Sequence, residues 1–183
     1  MTTFLVVFHT SEGQTARIAD HIASVLRSLG DEVEVHDVAG APPPEHFDGV
    51  VVGDSIHVVR HSKALTRYVH DHVAVLNRLP AALFQVSLTS ADPDAEHTAT
   101  AQGLVQELLD RTKFDPDLVG LFAGALVYTQ YGYFKRRVMR AVSRREGGDT
   151  DMTHDHEYTD WQAVEQFARD LHRLVHGDAA AAS

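Results

Sequence analysis

The chain has 183 residues, enough for one compact domain with a full core, and its 44% hydrophobic and 23% charged residues are ordinary for a soluble globular protein. A net charge of −10 argues against a general nucleic-acid binder, and the lack of cysteine excludes disulfides, thiolate metal sites and cysteine catalysis. No apolar run approaches the ~20 residues that cross a bilayer, and Met1-Thr2-Thr3 lacks the basic leader of a secretory signal, so a cytoplasmic protein is expected.

Strand and helix patterns alternate from the start. Residues 3–8 form an apolar run, as in a strand buried on both faces of a parallel sheet. Residues 14–29 carry Ile18, Ile22, Val25, Leu26 and Leu29 at helical spacing, with Gly30 as terminator. Val33 and Val35 mark a short second strand, and Ala41-Pro42-Pro43-Pro44 a loop. Residues 49–53 are a third strand. A helix over 62–77 places Leu65, Tyr68, Val69, His72 and Leu76 on one side. Residues 82–88 are a fourth strand, 94–112 a third helix and 118–126 a fifth strand. The last helix follows Thr159 or Asp160 as cap and runs to about His176. Such alternation implies parallel pairing with right-handed crossovers.

The turn after strand one is Thr10-Ser11-Glu12-Gly13-Gln14-Thr15. The hydroxyls of Thr10, Ser11 and Thr15 suit phosphate oxygens, and Gly13 permits a tight turn and close approach. The amides that follow open a helix, where unpaired N–H groups and the dipole favour an anion. The loop has no Gly-Lys-Ser/Thr ending and only one glycine, so neither the triphosphatase nor the dinucleotide fingerprint is met. A simple helix cap explains the residue types equally well. Position favours a ligand: the loop sits at the carboxyl end of the strands, where open α/β sheets bind.

The segment from Phe4 to Thr15 resembles the opening strand and phosphate loop of flavodoxins. Gly53-Asp54-Ser55-Ile56-His57, Ala123-Gly124-Ala125-Leu126-Val127-Tyr128, Gly147-Gly148-Asp149-Thr150-Asp151 and Tyr158-Thr159-Asp160-Trp161 are similar to segments of the flavodoxin-like protoporphyrinogen IX dehydrogenases. The resemblance implies an α/β fold: a doubly wound five-stranded parallel sheet of order 2-1-3-4-5 with a long insertion after strand five. The residues themselves give one domain over 1–177, a stretch over about 127–157 too long for a simple loop and so read as an insertion, and an Ala-rich tail over 178–183 expected to be disordered. The resemblance further implies FMN as cofactor and six-electron oxidation of protoporphyrinogen IX in haem synthesis, with menaquinone or another quinone as acceptor. A non-catalytic flavodoxin-type electron carrier is the alternative. One departure concerns the loop after strand three. That family usually follows Ser-Ile with a basic residue, an aromatic and a glycine, whereas His57-Val58-Val59-Arg60 stands here.

Besides the phosphate loop, Ser55, Ile56 and His57 after strand three and Ser87, Leu88 and Thr89 after strand four are candidate flavin contacts, as is Tyr128 after strand five. No side chain is assigned as catalytic acid or base. Lys135, Arg136, Arg137, Arg140, Arg144 and Arg145 concentrate six of the sixteen basic residues in the insertion. At helical spacing, Tyr131, Phe134, Val138 and Val142 share one face and Arg136, Arg137, Arg140 and Arg144 lie opposite. That pattern suits an anionic membrane surface on the inner face of the cell membrane, or porphyrin propionates. The sequence is compatible with a homo-oligomer. His154-Asp155-His156-Glu157 reads as a solvated turn, and no metal site is expected.

Overall fold

The computed structural model describes residues 1–56, 60–87, 95–123, 125–126, 156–157 and 159–177. In chain order they form β1 (Thr3–His9), α1 (Gln14–Ser28), β2 (Glu32–Asp37), β3 (Gly49–Ser55), α2 (Lys63–Leu76), β4 (Ala81–Ser87), α3 (Ala95–Thr112), β5 (Leu118–Ala123), β6 (Ala125–Leu126), β7 (His156–Glu157) and α4 (Trp161–His176). Short 3-10 turns at Val38–Gly40 and Pro44–His46 occupy the proline-rich connection. The main sheet has the order β2-β1-β3-β4-β5, and every pairing is parallel.

The apolar strands are buried on both faces because helices cover both. Phe4, Val6, Val51, Phe84 and Phe122 face α1 and α4, where they meet Ile18, Ile22, Leu26, Phe167 and Leu171. The alternate residues Leu5, Val7, Val50, Val52 and Leu83 face Leu65, Val69, Val105 and Leu108 of α2 and α3. Full burial of each such side chain contributes roughly 1.5–3 kcal/mol. The edge strand β2 is only half-buried and points Glu32 and Glu34 outward, which discourages pairing with other chains. Asp160, not Thr159, caps α4 by accepting from the amides of Gln162 (3.0 Å) and Ala163 (3.1 Å).

The structure corrects two expectations. The apolar run 118–126 is not one strand: β5 leaves the sheet at Ala123, which pairs with Ser87, the last residue of β4. Ala125–Leu126 pairs antiparallel with His156–Glu157, so the second half of the histidine-rich segment is a strand rather than a turn. An apolar pattern marks strand, but it does not register where a neighbouring strand runs out. The tail 178–183 and residues 127–155 lie outside the described residues. No described helix is long and apolar enough to cross a membrane.

Tyr68 anchors α2 to the proline-rich connection by donating to the Pro42 carbonyl at 2.8 Å. Burial pushes its phenol well above the ordinary value, and the Glu45 carboxylate adds to the rise. Above about pH 10 the unfolded chain therefore sheds this proton while the folded chain keeps it, and stability falls as pH rises. Tyr68→Phe is expected to flatten that alkaline fall and to cost about 1 kcal/mol at neutral pH. Urea unfolding from neutral to alkaline pH checks both; an unaltered alkaline slope would contradict the assignment.

Candidate functional site

The strand order reverses between β1 and β3, which opens a crevice at their carboxyl ends. The Thr10–Thr15 loop and the end of β3 meet there, with the Ser11 and Ser55 hydroxyl oxygens 3.5 Å apart. The helix-cap explanation of the loop fails on geometry. The N-cap position of α1 is Gly13, in the left-handed region at φ 90°, and no side chain caps the helix. Thr10 Oγ1 instead accepts from the Gly13 amide at 2.8 Å, which closes the turn and leaves the hydroxyl proton to donate. The first-turn amides of an α-helix have no intrahelical acceptor, so this end attracts an anion.

Thr15 is 1% exposed, and its hydroxyl has no hydrogen-bond partner among the described residues. A buried hydroxyl with no partner costs free energy that a phosphate oxygen would recover. Glu12 is exposed, and as an anion its side chain suits solvent rather than phosphate. The Gln14 side chain serves the scaffold. Its amide nitrogen donates to Thr159 Oγ1 at 2.8 Å, Thr159 donates to the Ala123 carbonyl at 2.8 Å, and Arg17 donates to the Gln14 amide oxygen at 3.0 Å. Trp161, next along α4, packs against α1 through the His21 ring (4.9 Å between centroids) and the Arg17 guanidinium (5.7 Å). By these contacts the Thr159-Asp160-Trp161 segment locks the far end of the chain against the phosphate loop.

Ser55 is the last residue of β3 rather than the first of the following loop, and the Ile56 amide extends the ladder by donating to the Val86 carbonyl at 2.9 Å. Ser87 likewise closes β4 and is buried. His57, Leu88, Thr89 and Tyr128 lie outside the described residues, as do Arg136, Arg137, Arg140 and Arg144.

Sequence reasoning missed a polar row one step inside this edge. His9, Asp54 and Gln85 sit opposite one another on β1, β3 and β4. Asp54 is fully buried, and its Oδ2 accepts from the Ser62 amide (2.7 Å) and faces His61 Nδ1 (3.0 Å). His9 Nδ1 lies 3.3 Å from the other oxygen, close enough for an ion pair but without hydrogen-bond alignment. Gln85 donates to the Ala101 carbonyl of α3 at 3.1 Å. The signal was an aspartate inside the apolar run 49–55, because a buried carboxylate must be met by donors.

A helix-opening turn with a positive-φ glycine at the switch point of a 2-1-3-4-5 sheet is the flavodoxin arrangement, and a family model described as a flavodoxin domain matches residues 5–153. The chain belongs to the flavodoxin-domain family. Flavodoxin 1 from Bacillus cereus superposes with a TM-score of 0.57 at 19% identity, covering 94% of this chain and 98% of that one, a likeness of fold. Within the family, the chain is 33% identical over 173 residues to the protoporphyrinogen IX dehydrogenase (quinone) of Escherichia coli (strain K12), covering 93% of this chain and 95% of that protein. It is 36% identical over 176 residues to the protein of the same name from Leishmania major, covering 93% of this chain and 74% of that one. The flavodoxin domain implies FMN as cofactor, and Gly13 and the Thr15 hydroxyl, unpartnered among the described residues, fit its phosphate.

Proposed function

We propose that this chain is an FMN-dependent oxidoreductase that converts protoporphyrinogen IX to protoporphyrin IX and passes the electrons to a quinone. The observation that carries the reading is the match, along almost the whole chain, to relatives named for that activity. The phosphate loop supports it, and the proposed flavin site comprises Thr10–Thr15, Ser55, Ile56, His57, Ser87, Leu88, Thr89 and Tyr128 within one domain over residues 1–177. FMN, when bound, supplies the acceptor for electrons from the porphyrinogen and the donor to the quinone. The chain's own residues hold and orient it: hydroxyls and first-turn amides take the phosphate, and the ends of β3 and β4 offer backbone groups to the ring system.

Menaquinone as the acceptor, a peripheral position on the inner face of the membrane, and contact through Arg136, Arg137, Arg140 and Arg144 rest on the sequence pattern of the insertion. Both reactants are lipophilic, and each basic group near an anionic surface contributes about 1 kcal/mol of attraction. The test measures anaerobic porphyrin formation from protoporphyrinogen IX by the flavin-loaded protein with a menaquinone analogue in anionic vesicles, so that the quinone is the only electron acceptor supplied. Quinone-dependent porphyrin fluorescence is expected, reduced when Arg136, Arg140 and Arg144 are replaced together by glutamate. A yellow protein with no quinone-dependent turnover would leave an electron carrier. Unchanged vesicle binding by the triple variant would remove the membrane surface.

Replacing Thr10 and Thr15 together by alanine is expected to weaken FMN binding about tenfold or more, since each removes a hydroxyl facing a charged phosphate. Fluorescence titration of the apoprotein checks it. Equal affinity would remove these hydroxyls from the phosphate site.

A further inference from the structure

At the opposite edge of the sheet, α1 and α4 end side by side, and three ligand-bearing residues converge. His172 and His176 lie at i and i+4 in the last turns of α4, hence on one face, with ring centroids 4.2 Å apart. Asp31 reaches the same point from the turn after α1. That turn closes through Gly30 N to Arg27 O (3.1 Å) and Asp31 N to Leu26 O (3.2 Å), with Gly30 at φ 97°. Asp31 Oδ2 lies 2.7 Å from His172 Nδ1, and Oδ1 lies 2.9 Å from His176 Nε2. One ligand atom from each residue falls within 4.8 Å of the others.

We propose that Asp31, His172 and His176 form a binding site for a divalent transition-metal ion of the zinc type. Three features support a cation here. The Asp31 side chain is 2% exposed, so its carboxylate is removed from competing water. The carbonyl ends of two helices add negative potential at the same place. Arg27 and Arg173, in the same helix turns, are directed to the Val33 carbonyl and to Asp170. Two imidazoles and one carboxylate suit zinc rather than magnesium or calcium, and they leave a fourth position for water. His176 is 35% exposed on its side chain, so solvent reaches that position. The present contacts are hydrogen bonds. A tetrahedral ion with bonds of about 2.0–2.1 Å sets its ligands roughly 3.3 Å apart, so the two carboxylate–imidazole contacts, each now on its own Asp31 oxygen, have to open by about half an ångström. Side-chain rotation supplies that.

Asp31 and His176 are 145 positions apart, and the ion would staple the two helices that cover one face of the sheet. The site precedes β2, whereas the phosphate loop follows β1, so the two lie at opposite ends of the strands. Metal binding is therefore separable from flavin binding.

The test uses flavin-loaded protein stripped with chelator and titrated with Zn2+ by calorimetry and equilibrium dialysis. High-affinity uptake of one equivalent is expected, with a rise in Tm. His176→Gln and His172→Gln should each weaken it about tenfold or more, since even residues that only support a metal ligand are worth that much. FMN content should be unchanged. X-ray absorption at the zinc edge should show imidazole nitrogen and carboxylate oxygen. Asp31→Asn adds a third variant, and the two glutamine variants, at partly exposed positions, keep the question open to decision if it does not fold. No uptake, or uptake equally strong in both histidine variants and so due to other histidines of this chain, would overturn the proposal.

Discussion

Replacing Asp54 by alanine is expected to lower the free energy of unfolding by about 3 kcal/mol, or roughly 6–12 °C in Tm for a chain of this size. The carboxylate is fully buried and collects the Ser62 amide, His61 and His9 at one point. Alanine leaves the Ser62 N–H and the His61 ring nitrogen facing a cavity, and each stranded buried group costs about 1–3 kcal/mol. The effect spreads because Ser62 is also the N-cap of α2, its hydroxyl accepting from the Leu65 amide at 3.1 Å. Asp54 thus ties the end of β3 to the start of the next helix and closes the base of the loop between them. Asp54→Asn keeps one oxygen for the Ser62 amide and is expected to lose less. Urea unfolding of both variants is the measurement; a loss below about 1 kcal/mol for alanine would show that the cluster does not hold the loop.

Adding one methyl group at Gly53 is expected to be as damaging. A β-carbon there would sit 2.0, 2.2 and 2.7 Å from three atoms of the Phe84 ring, inside any real contact distance. Phe84 cannot simply turn away. It is fully buried, its ring lies 6.0 Å from that of Phe122, and Phe122 packs edge-on against Phe167 at 5.6 Å. Overpacking of this kind costs about 1–3 kcal/mol and sometimes more, and here the upper end is expected because three rings must shift together. Gly53→Ala should therefore lose about 3 kcal/mol. Combined with Phe84→Leu, it should cost much less than the two single losses added. A double-mutant cycle checks this; additive losses would show that the ring is not the obstacle. Gly13 presents a contrast. Among the described residues nothing lies within 4 Å of a β-carbon there, so the protein's own requirement for glycine comes from the positive φ.

Much of the fold was legible because burial writes a local pattern. Strands covered on both faces become apolar runs, such as Val50-Val51-Val52, and Ile18, Ile22, Val25 and Leu26 mark the buried stripe of α1. The Thr10–Thr15 turn, proposed as the phosphate loop, stands out in the sequence because it is six consecutive residues with a fixed place after a strand. What the sequence hides are contacts between distant positions. Gln14 meets Thr159, and Asp31 meets His172, only after helices have crossed the sheet, and no periodicity announces which side chains then touch. The end of β5 was hidden likewise, since Ala123 and Leu126 have similar apolar character and differ in the strand they pair with, β4 for Ala123 and β7 for Leu126. Asp54 is intermediate: its oddity was visible in the sequence, its partners were not.

The hydrogen bond from Gln14 to Thr159 spans 145 positions, and it sets an order of events during synthesis. The Thr10–Thr15 turn is translated well before the hydroxyl that steadies its helix. A partly made chain can display the turn without the brace. On the proposed placement of the flavin phosphate, the turn gains its brace only when the Thr159 segment docks on α1, so bound cofactor would report the joining of two distant parts of the chain rather than the making of the turn.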